Sequence, residues 1–371
     1  MSRLNVVIVS RSVATLRFAE CTTSSQLFEL GLARALSEDT QTWILSMRST
    51  ERRSEDSLNL VPLSNPRRLI RSINEVIRQH NICGDGRAVI LFYGYDPLII
   101  AAAKIIGLIH RAKVVAYVFD HHSVAIEHKP RLRRWLIDLY FRAGILALRS
   151  LDGILLLNPK AYAKLCLKHL PALVSRVGID RSAVRPSIER IADNKIYKIV
   201  YAGSLESCNA VVPLIEAVRQ MRDPDLRLEI FGGGALAPEV DRLASMDDRI
   251  TWHGMVSKEE VDRMTRDAQL LVNLRDLNHS VADYSFPSKL IDCMASGVPV
   301  LSSRVIDDPG FNSMVTVVEG VEPAGIAAAI DQTRQSPQAQ AAKARCAQQY
   351  VLANHLWPDI AKEVIKFLAR V

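Results

Sequence analysis

The chain has no C-x-x-C pair, no G-x-G-x-x-G at the start of either half, no apolar run long enough to cross a bilayer and no fixed-period repeat. Each lack closes off a class of protein. The six cysteines, Cys21, Cys83, Cys166, Cys208, Cys293 and Cys346, are scattered without metal-ligand spacing, so reduced thiols in a cytosolic protein are expected in place of a disulfide framework or a zinc site. The longest apolar stretch, Val89 to Ile109, is interrupted by Gly94, Asp96, Pro97 and Lys104; it reads as a strand, a turn and a buried helix, not as a membrane span. The opening MSRLNVVIVS is too short in apolar residues for a signal-peptide core and reads as a first buried strand, so export is not expected. The missing glycine fingerprint disfavours a nicotinamide-dependent oxidoreductase.

What is present is an ordinary globular composition, 49% hydrophobic and 23% charged, over a length of 371 residues that exceeds what one core usually serves. Two domains are therefore expected. The formal charge of +7 points to an anionic partner: a phosphorylated small molecule, a nucleic acid or an anionic membrane surface. No nucleic-acid motif accompanies the charge, so nucleic acid is disfavoured.

Short β-branched runs alternate with helical patterns, the signature of βαβ units and parallel sheets. In the first half the runs are Asn5 to Val9, Thr42 to Ser46, Ala88 to Tyr93, Lys113 to Phe119 and Gly153 to Leu157. The polar stretch RPSIERIADNK at 185–195 interrupts the series. It then restarts at Lys198 to Tyr201, Arg227 to Phe231, Ile250 to His253, Leu270 to Leu274, Pro299 to Ser302 and Val315 to Val318. This predicts a Rossmann-like domain over 1–188, a second over 189–350, and a closing helix over 351–371 that returns to the first domain.

The segment richest in chemistry is LLVNLRDLNHSVADYSFPSKLIDCMASGVPVLSS, residues 270–303. A strand leads into a polar loop, Pro287 opens a helix at about Ser288, and Gly297 ends it. Amides at a helix start attract anions, and Lys289 in the first turn adds a full charge. Lys289 and Asp292 share a helix face. They suit a nucleotide, the cation holding phosphate and the carboxylate accepting from a ribose diol; the alternative is a plain surface ion pair.

This segment resembles the family 4 retaining glycosyltransferases, in the bacterial polysaccharide branch that carries a YSFPSK run, here Tyr284 to Lys289, and a Met-Ala-Ser-Gly-x-Pro-Val sequence, here Met294 to Val300. Three further stretches look like that family's C-terminal domain: KIVYAGSLESCNAVVPLIEAV, LRLEIFGGGALAPEVDRL and ITWHGMVSKEEV. The resemblance implies a GT-B architecture, two Rossmann-like doubly wound domains facing across a cleft. It implies retaining transfer of a sugar from a nucleotide-sugar, with UDP the preferred base carrier, to a glycan or lipid-linked acceptor in surface polysaccharide biosynthesis. It also implies that no metal and no cofactor beyond the donor is needed. By the same resemblance Asp292 binds the ribose, the backbone at Ser288 and Lys289 binds the diphosphate, and Met255 and Val256 lie against the base. The turn at Gly203 and Ser204 makes independent sense, since glycine permits close approach to phosphate; Gly233, within Gly232 to Gly234, either does the same or belongs to a tight turn.

Departures are specific. Ser204 and Asn209 stand where relatives carry an arginine and a lysine that clamp the diphosphate. Tyr284 replaces the first of the family's two glutamates, with Asp283 one position away, and the second is shortened to Asp292. Lys289, with Arg275, would then have to supply the charge; Arg275 reads equally as a solvated loop residue.

In the first half, the strand ending at Phe119 runs into Asp120, His121 and His122, at the carboxyl end where parallel sheets bind ligands. Relatives carry an Asp-x-His there, facing the transferred sugar. Asp120 and His122 map onto it, with His121 the alternative inward-facing member. A metal held by Asp120, His121, His122 and His128 is disfavoured, because adjacent residues rarely share one ion. The following segment 129–149 is a basic helix, with Lys129, Arg131, Arg133, Arg134, Arg142 and Arg149 interleaved with Trp135, Leu136, Tyr140 and Phe141. It reads either as a core helix with a charged face or as a peripheral contact with the anionic inner membrane face. Two rival functions stand beside glycosyl transfer: a sugar-nucleotide epimerase or hydrolase of the same fold, and a weakly binding partner subunit, which Ser204, Asn209 and Tyr284 favour.

Overall fold

A computed structural model describes the chain except residues 1–3, 18–20, 22–23, 66–67, 85–86, 120, 123–126, 128, 186–194, 287 and 306–307, and the side chains of Ser24 and Lys258. The chain forms two compact units. The first comprises Met1–Gly178, Asp283–Ser285 and Trp357–Val371; the second comprises Ile179–Ala282 and Phe286–Leu356. The division thus comes before the polar stretch at 185–195 where the sequence suggested it, because residues 179–185 pack with the second unit: Arg185 reaches Asp262 at 2.9 Å and its amide donates to the Ala295 carbonyl.

The strands of the first unit are β1 Asn5–Ser10, β2 Gln41–Ser46, β3 Arg53–Glu55, β4 Leu58–Pro62, β5 Ala88–Tyr93, β6 Lys113–Val118, β7 Gly153–Leu156 and β8 Ala172–Val174. They lie in the order β3-β4-β2-β1-β5-β6-β7-β8, parallel except for the β3–β4 hairpin. Strands buried on both faces read as unbroken apolar runs, and alternate residues then serve opposite cores. Val7, Val9, Ile90, Phe92, Val114 and Ala116 join one core with helices Leu69–Gln79, Pro97–His110 and Arg131–Leu148. Val6, Ile8, Leu91, Val115 and Tyr117 join the other with helices Ser24–Asp39 and Trp357–Leu368.

The last helix is fixed by Trp357. A Cβ built on Gly31 or on Gly178 would stand 2.4 or 2.3 Å from its ring, and Phe28 meets the ring edge-on with centroids 5.2 Å apart. Only hydrogen at both glycines leaves room for the indole.

The second unit contains β9 Tyr197–Ala202, β10 Leu226–Phe231, β11 Ile250–Trp252, β12 Leu270–Asn273, β13 Val300–Ser303 and β14 Thr316–Val318. All are parallel, in the order β11-β10-β9-β12-β13-β14. This is the doubly wound 3-2-1-4-5-6 arrangement, whose winding reverses between β9 and β12. Crossover connections there leave on opposite faces, and a crevice opens at the strands' carboxyl ends.

Two expectations need correction. The stretch Val89 to Ile109 does give a strand and a helix, but the helix Pro97–His110 is buried on one side only; Leu98, Ile105, Leu108 and Ile109 are exposed. The sequence reading also had no strand between residues 47 and 87, where the β3–β4 hairpin turns at Asp56, a non-glycine residue at φ 49°, and none at the short edge strand β8.

Candidate active site

Three segments of the second unit meet at the β9/β12 switch point. After β9 the chain turns at Gly203 and Ser204. The turn is pinned from both sides: the Gly203 amide donates to the Phe231 carbonyl at 2.9 Å and the Leu205 amide to that of Gly233 at 2.9 Å. Gly232, at φ 129°, is the residue it crosses; a Cβ there would stand 1.8 Å from the Gly203 carbonyl oxygen. The glycine run therefore serves backbone packing at Gly232 and Gly234, while Gly233 faces Met255, whose Cγ would be 3.2 Å from an added Cβ. Met255 is exposed and Val256 half-buried after Gly254 at φ 70°.

Ser204 and Asn209 bind one another. Asn209 Nδ2 donates to the Ser204 carbonyl at 2.9 Å and to its Oγ at 2.8 Å, and the Tyr201 hydroxyl donates to the same carbonyl at 2.9 Å. Where the family resemblance implies two cations, this chain has two neutral side chains bonded to one another.

The charge comes instead from the opposite side of the crevice. Helix Ser288–Ala295 follows the loop after β12, burying Leu290, Ile291 and Met294, so its polar residues Ser288, Lys289 and Asp292 are left on the other faces. Lys289 is half-buried, and its Nζ lies over the Gly203 turn, 3.0 Å from where a Cβ on that glycine would be. Among the described residues it has no hydrogen bond or ion pair. Loss of water around the ammonium pushes its pKa down to about 8; Cys293 and Asp292 pull weakly the other way, and the Arg275 charge lowers it further. Arg275, half-buried after β12 with its amide on Ser303 Oγ at 2.9 Å, is thus within electrostatic reach of Lys289 and is no simple solvated loop residue. Asp292 is exposed.

A partly dry ammonium beside a glycine turn, with a guanidinium in electrostatic reach, makes a surface that suits an anion. A helix start adds amide donors of the same polarity. The arrangement can bind a diphosphate and stabilise negative charge that builds on it.

Within the first unit, Asp120 and His128 lie outside the described residues. His122 is buried and fully engaged: Nδ1 meets the Tyr95 hydroxyl at 2.9 Å, Nε2 meets Asp138 Oδ1 at 3.0 Å, and Phe141 stacks on the ring at 4.8 Å. Tyr95 and Asp138 thus fix the orientation of its ring. His121 is half-buried, with its ring 4.3 Å from His122 and stacked at 4.1 Å on Tyr284. Burial, and secondarily the neighbouring His122, push its pKa down to about 4, so it is neutral at physiological pH. Tyr284 accordingly groups with His121 in the first unit, beside Asp283, which pairs with Lys164 at 2.9 Å. Among the described residues no three His, Cys, Asp or Glu side chains converge as a metal would require.

The sequence reading missed Arg11, Asp96 and Tyr140 at the first unit's own switch point, between β1 and β5. Asp96 caps the helix Pro97–His110 by accepting from the Leu98 and Ile99 amides, receives the Tyr140 hydroxyl at 2.9 Å and pairs with Arg11 at 2.6 Å. The aspartate-proline pair Asp96-Pro97 was the available signal, since it is a standard helix opening.

Residues 196–335 match the model of the family described as glycosyl transferases group 1. The whole chain superposes on Anabaena HepE, solved with UDP and glucose, at a TM-score of 0.69 with 12% identity and 100% of each chain covered. Sucrose-phosphate synthase from Thermosynechococcus elongatus gives a TM-score of 0.73 with 15% identity, covering 100% of this chain and 99% of the other. WaaG, a glycosyltransferase involved in lipopolysaccharide biosynthesis, gives 0.66 with 13% identity over 98% and 99%. The chain has the GT-B fold. Its group 1 match contains the Gly203 turn, Arg275 and the Ser288–Ala295 helix, so every residue that forms the crevice of this GT-B protein lies within the matched segment. No curated protein matches the sequence itself.

Proposed function

We propose that this protein is a retaining glycosyltransferase that uses a nucleotide-sugar, preferably a UDP-sugar, to extend a glycan or lipid-linked acceptor in surface polysaccharide biosynthesis at the cytoplasmic side of a membrane. The observation that carries the reading is Lys289: a half-buried ammonium without an ion pair among the described residues, set over the Gly203 turn at the point where the sheet's winding reverses. The group 1 match over 196–335 and the UDP and UDP-glucose bound by Anabaena HepE support a nucleotide-sugar as the anion.

In this reading the diphosphate lies between Lys289, Arg275 and the amides at Ser288, Asp292 holds the ribose, and the Met255 and Val256 backbone borders the base. Transfer breaks the bond between the sugar's anomeric carbon and the distal phosphate oxygen; the acceptor hydroxyl oxygen bonds to that carbon, and the departing diphosphate keeps the electron pair and takes the hydroxyl proton. Charge on that leaving group is what the two cations and the helix-start amides stabilise, without a metal. His121, neutral and therefore able to accept or donate one hydrogen bond, together with Asp120, orients the sugar and acceptor.

A second reading, a partner subunit with feeble donor affinity, is favoured by one observation: Ser204 and Asn209 spend their polar atoms on each other. Incubation with a panel of UDP- and GDP-sugars, followed by thermal unfolding and product analysis, separates the readings. A transferase is stabilised by one donor through mass action and passes its sugar to an acceptor with the anomeric configuration kept. Release of free sugar or an epimer without any acceptor product contradicts it, and no stabilisation by any donor favours the subunit.

A further inference from the structure

Among the described residues sixteen large hydrophobic side chains are exposed, and ten of them lie on two neighbouring helices of the first unit. On Pro97–His110 they are Leu98, Ile105, Leu108 and Ile109. The solvent side of this helix, Leu98, Ala101, Ile105 and Leu108, repeats at helical spacing and carries no charge. A helix apolar all round belongs in a core or a membrane, yet Leu108 is 77% exposed and Leu98 65%. On Arg131–Leu148 the stripe is Leu132, Trp135, Leu136, Leu139 and Leu146, spaced along one face, with Leu132 72% and Trp135 59% exposed; Tyr140 lies at its edge.

The two stripes point the same way. Both helices pack their inner residues, Ile99, Ile100, Ala103 and Ile106 from one and Phe141, Ile145 and Leu148 from the other, into a single core on one face of the sheet. They touch at Gly144, where a Cβ would stand 1.8 Å from the Tyr95 carbonyl oxygen and 3.2 Å from Pro97. Contiguous exposed apolar surface on this scale marks an interaction site.

We infer that the outer faces of helices Pro97–His110 and Arg131–Leu148 form one docking surface for an anionic lipid bilayer. Charge identifies the occupant. Arg131, Arg142 and Arg149 fall along one flank of the longer helix's stripe and Arg133 on the other, with Lys129 and Arg134 at its start. Between residues 129 and 149 the single acidic side chain is Asp138, and it is already engaged by His122 and Arg142. Leucine and tryptophan in the acyl boundary, with arginine heads reaching up to lipid phosphates, is the arrangement of a helix lying in the membrane plane. A second copy of the chain would fit badly, because a two-fold interface sets a patch against itself and would bring these arginines face to face. The inference stands on this surface alone and holds whatever the β9/β12 crevice binds.

The test is flotation of the full chain with vesicles of phosphatidylcholine alone or mixed with phosphatidylglycerol. Binding should be about tenfold or more tighter to the mixed vesicles and weaken with salt. The double variant Leu108→Asp, Leu132→Asp should lose binding to both, and Arg131→Glu with Arg133→Glu should lose only the preference for anionic lipid. Because these side chains are exposed, thermal unfolding and UDP binding should be unchanged, which keeps a failed fold or an empty donor site from being mistaken for the result. Equal affinity for neutral and anionic vesicles, no flotation at all, or flotation untouched by the double variant would overturn the inference. So would a wild-type dimer that the double variant converts to monomer.

Discussion

Lys289 and His121 are both titratable groups held away from water, and each gives the protein a pH signature of its own. To hold phosphate as proposed, Lys289 must be protonated, and its surroundings oppose that charge. In the free protein the penalty is therefore present below about pH 8 and fades as pH rises toward the unfolded lysine value. Replacing it with methionine should raise the stability of the free protein at neutral pH by about 1–2 kcal/mol, a figure discounted for partial exposure, as measured by urea unfolding; a loss of stability instead would mean the ammonium has a partner. His121 works through the opposite end of the scale. Its folded pKa of about 4 lies below the unfolded value, so the unfolded chain takes up a proton first as pH falls. Stability is complete above the unfolded value and is lost as pH drops through the folded one. The difference between wild type and His121→Phe should shrink by about 2 kcal/mol between pH 7 and pH 4.5, and a constant difference would contradict the burial argument. Glu29 is a third such group, buried with Ser12 donating to it at 2.6 Å and its pKa raised chiefly by desolvation; nothing in the alternation of its helix distinguished it.

At the scale of elements, what the sequence made legible were units whose signal is local. Long apolar runs became β1, β5 and β6 because strands covered on both faces need no polar alternation. The start and end of the helix Ser288–Ala295 followed from Pro287 and Gly297, the latter at φ 72°. What was not legible depends on partners distant in sequence. Trp357 announces a buried anchor, but nothing in residues 351–371 says that Gly31 and Gly178 make its socket. The same holds for His122: nothing at the strand end says that Tyr95 and Asp138 sit on its two nitrogens. The socket yields a prediction. Gly31→Ala forces the indole to move and should cost about 2–3 kcal/mol, lowering Tm in a thermal scan, whereas Gly325→Ala, with nothing within 4 Å of the added Cβ, should cost far less; equal effects would show that Trp357 is not wedged between the glycines.

For the whole molecule, both units use the same winding, reversing between β1 and β5 in one and between β9 and β12 in the other, and each places polar residues at its reversal. The first closes that point internally, with Asp96 satisfied by Arg11, Tyr140 and two amides. At the second, Lys289 lies over the Gly203 turn with no hydrogen bond or ion pair among the described residues, and Arg275 is within electrostatic reach. That contrast supports placing the proposed donor's diphosphate at the second unit. The YSFPSK run drew attention to Lys289, and Ser204 and Asn209 stood out as neutral where relatives carry cations; only the geometry showed that Lys289 crosses to the Gly203 turn. The most direct measurement is a calorimetric titration of UDP into wild type and Lys289→Met at about pH 7 and about pH 9.5. The wild type should bind saturably and lose about tenfold in affinity at the higher pH as the ammonium deprotonates, and Lys289→Met should bind weakly with no such pH dependence. Wild-type affinity that is unchanged across that range, or fully retained in Lys289→Met, would contradict the assignment of the diphosphate to this crevice.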